Sequence, residues 1–476
     1  MDFAPIARPE HWLRPAAIAA ICGGRVLRDG PVAHGVCTDS RQLAALDLFV
    51  ALPGERHDGH DFVRQALMGG AAGVVVARVT EELRAGLATP GPFVVQVPDT
   101  QHALLALAAE HRRRHQAVVI GITGSCGKTS TKDMLGHVLS GAMPSVYAAR
   151  SFNNSIGVPH TLFRIDATTQ AAVVELGTNG PGEIATLCRV ARPDVGIVTL
   201  VAEAHLEGLR SLEGVAQEKG DLVRALPDDG VAILNGDDPR VAAMAGIGRA
   251  RAVLVSLERE TDWFASQVCV HARGTSFLVQ GRHAVQLPRL GAHNVLNALL
   301  VIAAAHELDV PLATVLDRLA TLPPTAHRLQ VQVVGDVSLV DDTYNMNPAS
   351  ARAALRTLAA MQVPGRRVVV FGAMAELGES AGALHHALGG AVAGSRADLL
   401  VTVGPLARPI ALGAKATGAP ATAVRETADR AEALDLLQRE LRPGDCVLVK
   451  GSRRFELDRL VAELVPRLQG PRSTGS

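Results

Sequence analysis

The densest chemistry in the chain lies in Gly124-Ser-Cys-Gly-Lys-Thr129 and the adjoining Ser130. Glycines let backbone N–H groups turn toward a phosphate, a helix start adds its dipole, and a lysine reaches the terminal phosphates. A threonine hydroxyl beside that lysine suits Mg2+. The run therefore predicts nucleotide binding by Gly124, Ser125, Gly127, Lys128, Thr129 and Ser130. It is the short GxxGK[ST] form, with Ile122 at the position five before Gly127. Two further groups follow apolar runs. Glu175 ends Ala171–Leu176, and His205 follows Val195–Leu200. Strand C-termini in α/β sheets converge on the ligand crevice, and a phosphate-bridging cation draws oxygen and nitrogen ligands there. A structural carboxylate and a packed loop histidine are the competing readings.

Lysine is scarce, five residues against 42 arginines, and Lys219 is the only lysine between Lys132 and Lys415. An amine can be desolvated and react where a guanidinium cannot, so Lys219 is a candidate for lysine-specific chemistry rather than a solvated helix position. Lys132 and Lys415 read as ordinary surface charges. Asn294 and Asn297 share a helix face. Their amides match the donors and acceptors of a purine edge, with helix capping as the alternative. Beyond Thr321–Thr325, whose two prolines mark a hinge, come His327-Arg328 and Asp341–Pro348. The latter is a strand end leading into a polar loop with Tyr344, Asn345 and Asn347, where stacking or ligand contact competes with a plain turn. Lys450-Gly-Ser-Arg453 repeats that arrangement as an anion-binding turn. Cys126 places a thiol in the glycine-rich loop.

The elements that must position these groups alternate between short apolar strands and Ala/Leu-rich helices, the α/β pattern. Strands are expected at Leu48–Leu52, Gly73–Ala77 and Phe93–Val97, then a helix from Thr100. His111–His115 reads as a solvated helix end serving as a linker, without the aromatic interleaving of a nucleic-acid patch. A second block has strands at Ala117–Ile122, Ala171–Leu176, Val195–Leu200 and Val231–Asn235. A β-rich stretch over 252–287 and a helix His293–Glu307 complete it. A third has strands at Ser338–Asp342, Arg367–Phe371, Leu399–Val403 and Cys446–Lys450, resembling a small doubly wound domain. The tail Gly470–Ser476 reads as frayed.

Composition removes other classes. Basic and acidic residues balance at 47 each, so no bulk field recruits nucleic acid or a membrane surface. The six cysteines form no CxxC pair and no zinc spacing, which fits a reducing cytoplasm and no structural metal. The longest apolar stretch, Ala298–Ala305, is far short of the ~18 residues of a membrane span. Arg8 and Arg14 ahead of Ala16–Cys22 imitate a leader, but Gly23-Gly24 reads as the stop of a first helix.

Taken in order, Gly124–Thr129, Asn153-Asn154-Ser-Ile-Gly157, Glu175-Leu-Gly, Ala204-His-Leu-Glu207, Lys219-Gly220, Gly291–Asn297, His327-Arg328 and Asp341–Pro348 resemble the ATP-dependent Mur ligases over nearly the whole chain. Asp342–Pro348, Ala375-Glu-Leu-Gly378 and Lys450–Arg453 are most similar to the branch that joins D-alanyl-D-alanine to a UDP-N-acetylmuramoyl-tripeptide. Thr38-Asp-Ser-Arg41 and Asp58–Phe62 look like that branch's UDP-sugar domain. The resemblance implies an α/β protein of three domains: 1–112 for the UDP-substrate, 113–323 as a central P-loop ATPase with a mostly parallel sheet, and 324–470 as a Rossmann-like ligase domain.

It also implies a mechanism, in which ATP phosphorylates the peptide carboxylate, the dipeptide amine attacks the acyl phosphate, and phosphate leaves. By this likeness Lys128, Lys219, His205 and Arg328 are the catalytic set. Thr129 and Glu175 hold one Mg2+, while His205 and a carbamylated Lys219 hold a second. Asn294 and Asn297 read adenine, Asp342 the ribose, and Arg328 the γ-phosphate. Ser40 and Arg41 grip the uridine diphosphate; Asn153, Asn154, Tyr344, Asn345 and Asn347 face the peptide substrates. A monomeric cytoplasmic enzyme is expected. Cys126, Gly180 and Ala373 depart from the family pattern. The domain holding Thr38–Arg41 argues against folylpolyglutamate synthase, no DNPR-type motif points to the tripeptide-forming relative, and Lys128, Glu175, His205 and Lys219 argue against a nucleotide-gated binding protein.

Overall fold

The computed structural model describes residues 12–54, 57–148, 150–417 and 422–469. Arg8 and the tail Gly470–Ser476 lie outside them. The chain divides into two compact units, one of residues 1–121, 143–177 and 184–195, the other of 122–142, 178–183 and 196–476.

In the first unit the helix Pro15–Cys22 ends at Gly23, whose φ of 63° is the left-handed stop that a Gly-Gly pair supplies. Five strands follow: β1 Arg25–Arg28, β2 Gly35–Cys37, β3 Asp47–Val50, β4 Gly73–Val76 and β5 Phe93–Gln96. They lie in the order β1-β5-β4-β3-β2, parallel except for β1 against β5. β4 is buried on both faces, which is why it reads as an unbroken apolar run. The helix Thr100–Arg113 starts where Asp99 accepts from the Gln101 and His102 amides. Its end corrects the expectation of a solvated linker. His111 and Arg112 are buried, and the Arg112 guanidinium donates to the Ala191 carbonyl at 3.0 Å and to the Asp194 carboxylate at 2.9 Å. These arginine bonds satisfy a buried charge, so the basic run is a structural anchor.

β6, Val118–Thr123, stands where the units divide. β7 Ser145–Tyr147 and β8 Ala171–Glu175 pair in parallel in the first unit. The second unit continues with β9 Val195–Val198, β10 Val231–Asn235, β11 Arg251–Ser256, β12 Trp263–His271, β13 Gly274–Val279 and β14 His283–Leu287, side by side in chain order. β10, β11 and β12 are parallel neighbours, and β12–β14 turn back as an antiparallel meander.

The last sheet comprises β15 Gln330–Val334, β16 Val337–Asp342, β17 Arg367–Phe371, β18 Leu399–Val403, β19 Ala423–Thr427 and β20 Cys446–Lys450. Its order is β15-β16-β20-β17-β18-β19, parallel except for β15. Alternate residues feed two cores. Val369, Phe371, Leu400 and Leu448 join the helix Pro348–Ala360 on one face, while Val368, Val370, Leu399, Val447 and Val449 join the helices Arg430–Glu440 and Leu457–Gln469 on the other. This is the doubly wound pattern expected. β15 and β19, absent from the sequence reading, are its two edges. No helix of the described residues is long and apolar enough to cross a membrane.

Candidate active site

The glycine-rich loop passes from β6 into the helix Lys128–Ser140. Gly124, at φ +146°, sits so close to Thr199 that any Cβ would run into the Thr199 hydroxyl. Gly127, at φ +86°, caps the helix, and a Cβ there would come 2.7 Å from Asn297 Oδ1. Both positions need glycine on conformation and on space. Ser125 is held inward, its Oγ donating to the Ala202 carbonyl at 3.0 Å, and Lys128 Nζ donates to the Gly124 carbonyl at 2.6 Å. The lysine thus lies across the loop. Thr129 is buried in the first helical turn and Ser130 is half-buried.

Lys219 is 1% exposed on the helix Leu212–Arg224, which begins where Ser211 Oγ accepts from the Gly214 amide. Burial, and next the neighbouring Lys128 cation, push its ammonium down to about 7, with Glu218 opposing. A lysine so placed is half neutral near neutrality, the state in which an amine is a nucleophile. Lys132 corrects an expectation, for it is 0% exposed and paired with Asp133 at 2.6 Å rather than a surface charge. Lys415 is exposed and pairs with Glu426, as a surface lysine should. The Cys126 thiol in the glycine-rich loop is not an activated one. Burial pushes it up, against a thiol bond to Asn347 Oδ1 at 3.1 Å and the pull of Lys128, so it is held neutral.

His205 occupies a left-handed conformation, φ 55°. Its Nδ1 lies 2.6 Å from Glu376 Oε2, and this bond holds the Glu376 carboxyl below the ordinary carboxylate range. Glu376 is itself left-handed at φ 62°, and its carbonyl accepts from the Glu207 amide at 3.3 Å. Non-glycine residues rarely take this region, so surrounding contacts must hold both. The sequence pointed to Ala375–Gly378 only as a family mark; its partnership with His205 was not anticipated.

Asn294 and Asn297 are buried on the helix Ala292–Glu307. Asn294 donates to the Leu290 carbonyl at 2.8 Å, and Asn297 donates to Asn294 Oδ1 at 3.2 Å. Arg328 lies between two left-handed residues, His327 and Leu329, and its guanidinium stacks 4.0 Å from the Tyr344 ring centroid. The Asp341 carboxylate holds His327 Nδ1 at 2.8 Å. Asp342 pairs with Lys450 at 2.7 Å; burial pushes its carboxyl up and Lys450 pulls it back. Asn347 caps the helix Pro348–Ala360 and donates to the Ser125 carbonyl at 3.2 Å, so it reaches the glycine-rich loop. Asn345 turns its carbonyl onto Lys450 Nζ at 2.8 Å.

In the first unit Asn153 Nδ2 donates to the Glu175 carboxylate at 2.9 Å, and Glu175 is buried at the end of β8. Asn154 accepts from the Gly157 amide and so starts the helix Gly157–Leu162. Ser40 donates to Gln65 at 3.0 Å, while Arg41 is exposed and paired with Asp39. Thr38 Oγ1 and His160 Nε2 are 2.8 Å apart. Among the described residues no cluster of three or more His, Cys, Asp or Glu forms a ready metal site.

Three family models match in succession, making this a three-domain α/β chain: the Mur ligase family catalytic domain over residues 32–112, the Mur ligase middle domain over 122–305, and the Mur ligase glutamate ligase domain over 327–453. A UDP-N-acetylmuramoyl-tripeptide–D-alanyl-D-alanine ligase from Escherichia coli is 37% identical over 442 residues, 90% of this chain and 93% of that protein. The Acinetobacter baumannii MurF crystal structure superposes with a TM-score of 0.86 at 31% identity, covering 95% of this chain and 98% of that one. A Thermotoga maritima MurF ligase solved in complex with ADP gives 0.81 at 25% identity, covering 91% and 98%.

Proposed function

The chain belongs to the Mur ligase family, and from that premise we propose that it is the ATP-dependent ligase that adds D-alanyl-D-alanine to UDP-N-acetylmuramoyl-tripeptide in peptidoglycan precursor synthesis. We assign this activity to the cytoplasm and to a monomer, with a UDP-substrate domain over 1–112, an ATPase over 113–323 and a ligase domain over 324–470. One observation carries the reading most directly. Lys219 is buried beside Lys128 at a phosphate-type loop, a pairing that calls for anionic partners, and the match to D-alanyl-D-alanine ligases runs the length of the chain.

A carboxylate oxygen of the tripeptide attacks the γ-phosphorus, the bond to ADP breaks, and an acyl phosphate forms. The dipeptide amine then attacks the acyl carbon, loses a proton, and the C–O bond to phosphate breaks. Each step brings anions together, so the residues' work is alignment and charge neutralisation. Lys128 neutralises the β/γ-phosphates, and Gly124, Ser125, Gly127, Thr129 and Ser130 surround them. Arg328, held over the Tyr344 ring, meets the γ-phosphate; Asn294 and Asn297 take adenine and Asp342 the ribose. Ser40 and Arg41 hold the uridine diphosphate, with Asn153, Asn154, Tyr344, Asn345 and Asn347 toward the peptides.

Thr129 and Glu175 suit one Mg2+, and His205 with carbamylated Lys219 suits a second; the ions would neutralise the transferring phosphoryl group. The fit rests on the Lys219 amine, whose lowered basicity lets it add CO2 and gain carboxylate-like oxygens. The His205–Glu376 bond supports it as well, since a carboxylate on one imidazole nitrogen presents the other as a ligand. Carboxylate labelled with 18O in the tripeptide tests the route. With both oxygens of that carboxylate labelled, one is expected in the released phosphate and the other in the new amide carbonyl, and phosphate free of label would refute the acyl phosphate.

A further inference from the structure

Lys450 ends β20, the strand between β16 and β17, and it stands level with Asp342 on one side and Phe371 on the other. Three loops therefore leave adjacent parallel strands at one edge, the crevice edge of such a sheet. Lys450 is 2% exposed, and its ammonium donates to Asp342 Oδ2 at 2.7 Å and to the Asn345 carbonyl at 2.8 Å. Two residues on, buried Ser452 bonds both neighbouring loops. Its Oγ donates to the Met346 carbonyl at 3.1 Å and accepts from the Ala375 amide at 2.9 Å, and its own amide donates to the Ala373 carbonyl at 3.1 Å. A Cβ on Gly451 would come 2.8 Å from the Leu457 side chain.

The two loops so joined differ in what they touch. Loop 342–347 reaches the glycine-rich loop through Asn347, which contacts Ser125 and Cys126. Loop 372–376 reaches His205 through Glu376. We propose that Lys450 and Ser452 are positioning residues that register these loops, Lys450 setting the nucleotide side and Ser452 linking it to Glu376 and His205. Neither is placed on substrate; each acts through a neighbour. A solvent-facing anion turn would leave the lysine exposed, whereas here both its contacts are internal and short. A buried carboxylate that loses its cation is left uncompensated, so Asp342 and the backbone of loop 342–347 would shift together.

The role in catalysis rests on the ligase reading above, so the test keeps the two apart. ADP affinity is measured by calorimetry on the full-length protein without either peptide substrate, and kcat separately as ADP formed with both. Lys450→Met is expected to weaken ADP binding about tenfold or more. Ser452→Ala is expected to keep ADP affinity within about twofold while kcat falls about tenfold, because Ala375 and hence Glu376 lose their anchor. Lower melting temperatures with wild-type ADP affinity and kcat in the folded variants would overturn the proposal and leave a purely structural clip. Should Lys450→Met not fold, Ser452→Ala alone decides: a kcat loss at preserved ADP affinity supports the link, and unchanged kcat refutes it. A wild-type protein that binds ADP but ignores D-alanyl-D-alanine would sink the ligase reading while the ADP comparison still judged Lys450.

Discussion

Lys219 and Lys450 are both almost completely buried in the same unit, yet their settings are opposite. Lys219 lies beside a second cation, Lys128, and burial drives it toward the neutral amine. Lys450 closes on Asp342 and on a backbone carbonyl, so its charge is matched inside the fold. The first setting leaves an amine ready to react or to meet an anion; the second spends the lysine on holding loops in place. Burial alone therefore says little about what a lysine does. What faces it decides.

The largest effect expected from breaking this contrast is at Lys219. Lys219→Ala and Lys219→Arg should both lose about 10²–10³-fold in kcat, because neither can become an oxygen ligand. Short carboxylates such as formate should partly restore the alanine variant. Full activity in Lys219→Ala would remove the carbamate from the account. The pH dependence sharpens the point. Only the neutral amine adds CO2, and with the ammonium lowered to about 7 its neutral fraction grows as pH rises through that value. At fixed dissolved CO2, reactivation of CO2-stripped enzyme should speed up from pH 6 and level off above about pH 8; a rate still climbing about tenfold per pH unit at pH 9 would contradict the lowered basicity.

At Lys450 the expected loss of ADP binding is accompanied by a loss of stability. Lys450→Met leaves a buried carboxylate, at a cost of about 3–5 kcal/mol in denaturant unfolding. Lys450→Arg keeps the charge and should retain more activity than Lys219→Arg, and the reverse order would erase the distinction between the two lysines. Gly124→Ala is smaller in stability, about 1–3 kcal/mol of backbone strain at φ +146° plus collision with Thr199, but it should abolish tight ADP binding in calorimetry.

The smallest effect concerns His293, next to Asn294. Burial first, and then Lys450 and Arg356, push it down to about 4. Between pH 6.5 and 4 the unfolded chain binds a proton there that the folded one does not, so this contribution to stability falls as pH drops through that window. His293→Gln should flatten the acid limb by of the order of 1–2 kcal/mol in urea titrations at pH 6.5 and 4.5. An unchanged slope would mean that burial and the neighbouring cations do not hold this ring neutral.

The same contrast explains what was legible in the sequence. The glycine-rich loop is local: its residues are neighbours in the chain, and Gly124, Gly127 and Lys128 act through contacts that spacing already implies. Central strands such as Arg367–Phe371 and Cys446–Lys450 are buried on both faces and so appear as apolar runs. The edges β15 and β19 escaped because their residues are mostly exposed or half-exposed, leaving no such run. Lys132 and Arg112 were misjudged because a charge in a helical pattern carries no sign of its burial partner. The links Glu376–His205, Lys450–Asp342 and Asn347–Ser125 join distant parts of the chain, so only the fold could reveal them.

ADP release measured against a small matrix of UDP-linked muramyl peptides and dipeptides bears most directly on the central claim. The ligase account predicts sustained ADP release over many turnovers only when a UDP-N-acetylmuramoyl-tripeptide and D-alanyl-D-alanine are both present, with one amide formed per ADP. Equal ADP release without the dipeptide, or with glutamate in its place, would contradict it.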